Sequence, residues 1–294
     1  MPTTTTYDRL LADLGSTFRP QRHWVEGRGL FLILGHFFSG IGAGTWIFSL
    51  WLGFAPGLWL AVLVILLSGA AHLAFLGHPE RFWRMFRARS SWIARGFIGM
   101  NIFFVGAVLY IFFPAGALGT LFLALSLAGA AIIIGYKGNV YAASKGVPFW
   151  NSPVLPILYA TYAIRGGLAL LLIVFPLAGG RIDLHGLGVI ELWVAVSAAV
   201  MLGFYLGVMR QTNVAAKRSV RELARGRVAG PFYLGTVGVG LALPILLGFA
   251  GLASPLSGLL LSLVGALSLV GDFFAKYSIA KAGIYLPLMP AAKG

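Results

Sequence analysis

The chain has 294 residues, 59% of them hydrophobic and 10% charged, and its 22 Lys and Arg against 8 Asp and Glu give a net charge of +14. Soluble domains carry about 25% charged residues, so the composition excludes a soluble globular protein and a disordered one. The cationic surplus of so apolar a protein reads as basic membrane loops, not as a nucleic-acid groove.

Residues 1–28 are polar and carry Asp8, Arg9, Asp13, Arg19, Arg22, Glu26 and Arg28. No apolar run with a small-residue cleavage site precedes them, so no cleavable signal peptide is expected and insertion falls to the first span. A bilayer core about 30 Å thick needs about 20 apolar residues per helix. Eight such stretches follow, at 29–54, 57–77, 92–113, 116–136, 153–178, 187–209, 229–251 and 256–278. Runs such as Leu60 to Leu67 and Ala124 to Ile134 lack the alternation of an outer-membrane strand. The fold expected is an all-α integral membrane protein with eight transmembrane helices, 29–278, in two four-helix bundles, followed by a tail at 279–294.

The connections sort by charge. Those near Ala55–Pro56, Pro114–Ala115 and Leu252–Pro255 hold no Lys or Arg, and 179–186 holds only Arg181 beside Asp183. Residues 78–95 carry Arg81, Arg84, Arg87, Arg89 and Arg95; 137–145 carry Lys137 and Lys145; 210–227 carry Arg210, Lys217, Arg218, Arg221, Arg225 and Arg227. The C-terminal end adds Lys276, Lys281 and Lys293. By the positive-inside rule this basic face and both termini are cytoplasmic, as expected of a multi-pass protein of the inner (cytoplasmic) membrane. The short loops make spans 1–2, 3–4 and 7–8 antiparallel hairpins, and 210–227 either separates spans 1–6 from 7–8 or lies along the surface as an amphipathic helix. Small residues such as Gly40, Gly42 and Gly44 fit close helix packing.

Ionisable groups within the spans need a reason to be there. At 1.5 Å per residue, His36 lies about 10 Å below the basic face, His72 about 8 Å, Tyr159 and Tyr162 about 9 to 14 Å, Asp272 about 9 Å and Arg95 about 5 Å, with Tyr136 closing span 4. Such a layer suits a quinone head group, whose two carbonyls need hydrogen-bond partners and a route for protons. The competing account for each is a polar contact between helices, and for Asp272 a local ion pair with Lys276, four residues on. Arg165, about 18 Å deep, needs a partner; Glu191 is a candidate, in a structural pair or in a proton path. Of the five His, only His36 and His72 offer a pair for haem, a less favoured reading.

The stretch Phe75-Leu76-Gly77-His78-Pro79-Glu80-Arg81-Phe82-Trp83, followed by Ser91-Trp92-Ile93-Ala94-Arg95-Gly96, resembles the NrfD and polysulfide-reductase membrane-subunit family, related to the dimethyl-sulfoxide-reductase anchors. The Gly-rich first span, Val147-Pro148-Phe149-Trp150-Asn151-Ser152-Pro153 and Ala282-Gly283-Ile284-Tyr285-Leu286-Pro287 add to it. The resemblance implies a membrane anchor that exchanges electrons between menaquinone or ubiquinone and a four-cluster iron–sulfur subunit, itself joined to a molybdopterin catalytic subunit, in sulfur-compound respiration or oxidation. No haem is implied. The sequence has no Cys, so iron–sulfur clusters and molybdopterin belong to the partner subunits. The family commonly places His or Asp at the position of Phe75; His72, one turn earlier, is read as the substitute. The candidate site is then His72 and His36 for proton exchange, with Arg95, Tyr136, Tyr159 and Asp272 around the quinone, Arg165 and Glu191 on a proton path, Arg81, Arg84, Arg87 and Arg89 for docking the partner, and no metal. The alternatives are a passive anchor without a quinone site and a secondary transporter, for which no inverted repeat is evident.

Overall fold

The computed structural model describes residues 18–87, 90–178 and 183–286. Arg89, Arg181, Lys293 and the charges before Phe18 lie outside the described residues. The helices are α1 Gly29–Trp51, α2 Ala55–Phe75, a 3-10 helix Pro79–Arg87, α3 Trp92–Phe112, α4 Gly116–Ala142, α5 Val154–Ala178, α6 Leu184–Thr212, α7 Val214–Arg225, α8 Pro231–Ala253 and α9 Gly258–Lys281. All but α7 and the 3-10 helix, eight in number, are long and apolar enough to cross a membrane.

The hairpins α1–α2 and α3–α4 pack into one bundle, and α5, α6, α8 and α9 into the other. The seam between the bundles is α1 against α5. In their most apolar stretches α1 and α5 are 67% and 61% buried, against 28–39% for the other spans, so these two helices form the interior and the rest face lipid. Where α1 crosses α5, a methyl on Gly44 would lie 2.3 Å from the Ala163 carbonyl oxygen. The small residues of the first span thus serve the close backbone approach expected of them.

The helix ends differ from the predicted spans at functionally telling places. Span 4 ends at 136 by hydropathy, but α4 continues to Ala142, and α9 continues to Lys281. A span drawn from hydropathy stops where polar residues begin, whereas helical hydrogen bonding runs on until a stop signal. Lys137 and Lys276, read from the sequence as part of the basic surface, are in fact buried, at 0% and 2% exposure.

On the basic face, α7 lies as an amphipathic helix, with Ala215, Ala216, Ser219 and Leu223 buried. The two described ends of the protein meet there. Gln21 N–H donates to the Gly283 carbonyl at 2.8 Å, Tyr285 N–H to that of Arg19 at 2.9 Å and Leu286 N–H to that of Gly146 at 3.0 Å. Within α8, the twelve residues Pro231–Ala242 are wound as a π-helix, a rare geometry that in other proteins is frequent at functional sites.

Candidate functional site

Two polar centres lie inside the helices. The first is in the α1–α4 bundle near the basic face. His72 sits one turn before the end of α2, with Nδ1 2.8 Å from the Ser68 carbonyl and Nε2 3.3 Å from the Tyr136 hydroxyl. With the Nδ1 proton on the Ser68 carbonyl, Nε2 is free to accept from Tyr136 or from a ligand. The Ser68 hydroxyl donates to the Gly35 carbonyl at 2.8 Å and so ties α2 to α1. A methyl on Gly35 would lie 2.5 Å from the His72 ring, so only glycine leaves the ring its place.

His36, buried on α1, lies behind His72 with their ring centres 5.4 Å apart, and its ring is flanked edge-on by Tyr136 at 5.9 Å and Tyr141 at 5.6 Å. The Tyr141 hydroxyl reaches to 3.4 Å from His36 Nδ1, and the Lys137 ammonium donates to the His36 carbonyl at 3.4 Å. Tyr159 packs on Tyr141 at 5.3 Å between ring centres. A cavity of about 420 Å³ opens beside His72 between α2, the 3-10 helix and α3. Leu73, Phe82, Met85, Phe97, Met100 and Phe104 are among its walls, with His72 and Asn101 as the polar residues. Its rim residues Leu66, Leu73 and Phe82 are exposed, so in a bilayer it faces the acyl chains.

The second centre joins α5, α6, α8 and α9. Arg165 Nε donates to Glu191 Oε1 at 3.1 Å and Nη1 to Asp272 Oδ1 at 2.9 Å. Nη2 donates to the Gly240 carbonyl at 2.7 Å, on the π-helical turn, and to Ser268 Oγ at 2.8 Å. Ser268 in turn donates to Glu191 Oε1 at 2.7 Å. All three ionisable side chains are shut off from the surface. Among the described residues, Glu191 Oε2 and Asp272 Oδ2 have no hydrogen-bond partner. One cation and two carboxylates make a buried triad with strong geometric demands.

The structure therefore brings together His36, His72, Tyr136 and, one ring further, Tyr159. It does not place Asp272 with them. Asp272 pairs with Arg165 and, among the described residues, makes no ion pair with Lys276. The three residues by which α9 outruns span 8 put Asp272 about 4.5 Å deeper than expected, close enough for the long Arg165 side chain to reach it at 2.9 Å. Arg95 is exposed, its guanidinium 4.5 Å over the Trp92 ring, and does not line the cavity. On the 3-10 helix, Arg84 and Arg87 lie 5.7 and 5.1 Å over the Trp83 ring, and Arg81 is 3.7 Å from Glu80.

A family model described as polysulphide reductase, NrfD, matches residues 28–287, a stretch that contains all eight spans and both polar centres. The chain belongs to the NrfD family. Protein NrfD of Escherichia coli (strain K12) is 29% identical over 166 residues, 52% of this sequence and 51% of that protein. The C chain of polysulfide reductase from Wolinella succinogenes is 30% identical over 122 residues, 39% of this sequence and 38% of that protein. The aligned part thus spans about half the length of the first relative and less of the second.

In this NrfD-family protein, the stretch Phe75–Trp83 ends α2 and begins the 3-10 helix, and its Leu76 and Phe82 line the His72 cavity. Sequence reading missed Tyr141, Ser68, Ser268 and the two buried lysines. No sequence signal singles out Lys137 and Tyr141: Gly138-Asn139 is a pair that usually stops a helix, and α4 runs through it to Ala142. Lys276, 5.7 Å over the Phe37 ring and 5.1 Å over that of Tyr162, lies between the two centres.

Proposed function

We propose that this protein is the membrane anchor and quinone-reactive subunit of a molybdopterin iron–sulfur oxidoreductase working in sulfur-compound respiration or oxidation. The observation that carries the reading is the lipid-facing apolar cavity that ends on His72, with Tyr136 on its Nε2 and His36 behind it. An apolar cavity with one convergent polar end is the form a quinone site takes: the head ring needs hydrogen bonds, the isoprenoid tail needs hydrocarbon. The residues fit menaquinone or ubiquinone without a haem.

When bound, the quinone supplies the redox chemistry, the exchange of two electrons and two protons between quinone and quinol. The protein's own residues bind, orient and handle protons. The Tyr136 hydroxyl donates to one carbonyl oxygen of the quinone, and His72 Nε2, an acceptor, takes the proton of the quinol hydroxyl at that position. The Ser68 carbonyl fixes the tautomer of His72, and Gly35 and Ser68 fix the position of its ring. An iron–sulfur subunit seated on the basic face, with Arg81, Arg84, Arg87 and Arg89 as its docking side chains, would supply the cluster with which electrons are exchanged. The name of one relative, the C chain of a polysulfide reductase, supports a multi-subunit setting. The charge pattern supports a cytoplasmic basic face and an inner-membrane location.

His72→Ala tests the reading. In complexes that still contain all their subunits, quinol-linked turnover should fall by about 10²- to 10⁴-fold, the usual worth of a general acid–base group. Turnover from a soluble dye that bypasses the membrane subunit should be unchanged. Quinol-linked turnover at the wild-type rate in the assembled variant would leave only a passive anchor.

A further inference from the structure

Four cations converge in a cleft of about 280 Å³ where the end of α6 meets α7: Arg210, Lys217, Arg221 and Arg225. The other side of α7 is buried through Ala215, Ala216, Ser219 and Leu223, and its first turn is capped by Asn213, whose Oδ1 accepts from Ala216 N–H at 2.9 Å. The cleft therefore has a fixed wall. Lys217, Arg221 and Arg225 recur every fourth residue, a spacing at which like charges destabilise a helix.

Among the described residues, no carboxylate pairs with any of the four. Glu222, the acid of this helix, is turned to Arg227 at 2.9 Å, and Arg218 lies 3.9 Å over the Phe18 ring on another side. Topology alone asks for positive charge on this face. It does not ask for four charges around one cleft.

Below the cleft, α6 presents an apolar stripe that ends at Arg210. Trp193, Val200 and Phe204 on it are 55%, 63% and 58% exposed. A methyl on Gly203 or Gly207 would meet open space, so the helix surface between these side chains is a shallow groove. Cations at the membrane surface and a groove descending into hydrocarbon together describe an amphiphilic anion.

We propose that this cleft binds the head group of an anionic phospholipid, with its acyl chains along the α6 groove. Four cations match a head group with two phosphates better than one with a single phosphodiester charge. The arginines offer it paired N–H donors, in the manner of basic pockets between membrane helices. Free phosphate shares the head-group chemistry but has no use for the groove.

The test is native mass spectrometry of the full-length protein in mild detergent, with diphosphatidylglycerol, phosphatidylethanolamine or inorganic phosphate added separately. Diphosphatidylglycerol adducts should form on the wild type, fall about fivefold in Arg221→Gln and about tenfold or more in Arg221→Gln/Arg225→Gln. They should persist in Arg218→Gln, which loses the same charge from the same helix. Equal adducts with phosphatidylethanolamine, or an equal loss in Arg218→Gln, would overturn the site. Displacement of the diphosphatidylglycerol by inorganic phosphate would assign the cleft to the free ion and overturn the lipid. Should the double variant not accumulate, Arg210→Gln gives the same comparison from α6.

Discussion

At the scale of single residues, the first centre is a packed ring cluster with one face open to the cavity. Tyr136 contributes a hydroxyl to His72 and a ring edge to His36. Tyr136→Phe removes the hydroxyl and keeps the ring, so it should lower quinol-linked turnover of the assembled complex by less than His72→Ala does. Equal losses in the two variants would mean that the Tyr136 hydroxyl is as necessary to the proton transfer as the His72 ring. Gly35→Ala keeps every functional group and adds one methyl against the His72 ring. It should raise KM for quinol and lower kcat together, because the ring must turn away from both Ser68 and Tyr136. Wild-type kinetics in this variant would show that the position of the His72 ring does not matter. The sequence held His36, His72 and Tyr136 as candidates because ionisable and aromatic groups at one depth stand out among apolar spans. It carried no sign that Tyr141 joins them, because an aromatic residue at a span end also fits an ordinary interfacial anchor.

At the scale of elements, the π-helical turn of α8 and the extended end of α9 decide where the second centre forms. The π-helix delivers the Gly240 carbonyl to Arg165, and the length of α9 brings Asp272 within reach of its guanidinium. Arg165→Leu leaves two carboxylates buried without their cation, and should cost about 3 to 5 kcal/mol, read as a lower melting temperature in detergent. Adding Glu191→Gln and Asp272→Asn to Arg165→Leu removes the stranded charge and should restore much of that loss. If the triad only holds the second bundle together, the triple variant regains quinol-linked turnover with its stability. If Arg165 and Glu191 serve a proton path, stability returns and turnover does not. Arg165 announced its need for a partner by its depth in the sequence. That Asp272 would be the second partner was hidden by three residues of helix beyond the apolar run.

At the scale of the whole molecule, the basic face carries two different surfaces. On the first bundle, the 3-10 helix between α2 and α3 exposes Phe82, Trp83 and Phe86 beside its arginines. On the second bundle, the α7 cleft gathers four cations. If the iron–sulfur partner docks on the first, Arg84→Glu/Arg87→Glu should weaken co-purification of the soluble subunits, with the difference from the wild type shrinking as salt rises, because screening removes attraction and repulsion alike. Arg221→Gln/Arg225→Gln should leave co-purification as it is.

The membrane class, the eight spans and the hairpin pairing were legible in the sequence, because they follow from hydrocarbon thickness and from the shortness of the loops. Which polar residues share a centre was decided only in the folded molecule. Hydropathy measures depth but not azimuth, and it ends a helix at the first polar residue while the backbone hydrogen bonds carry it further. The cationic surplus that looked like pure topology in the sequence accordingly divided in the fold: Lys137 and Lys276 turned inward between the two centres, and Arg210, Lys217, Arg221 and Arg225 gathered around one cleft.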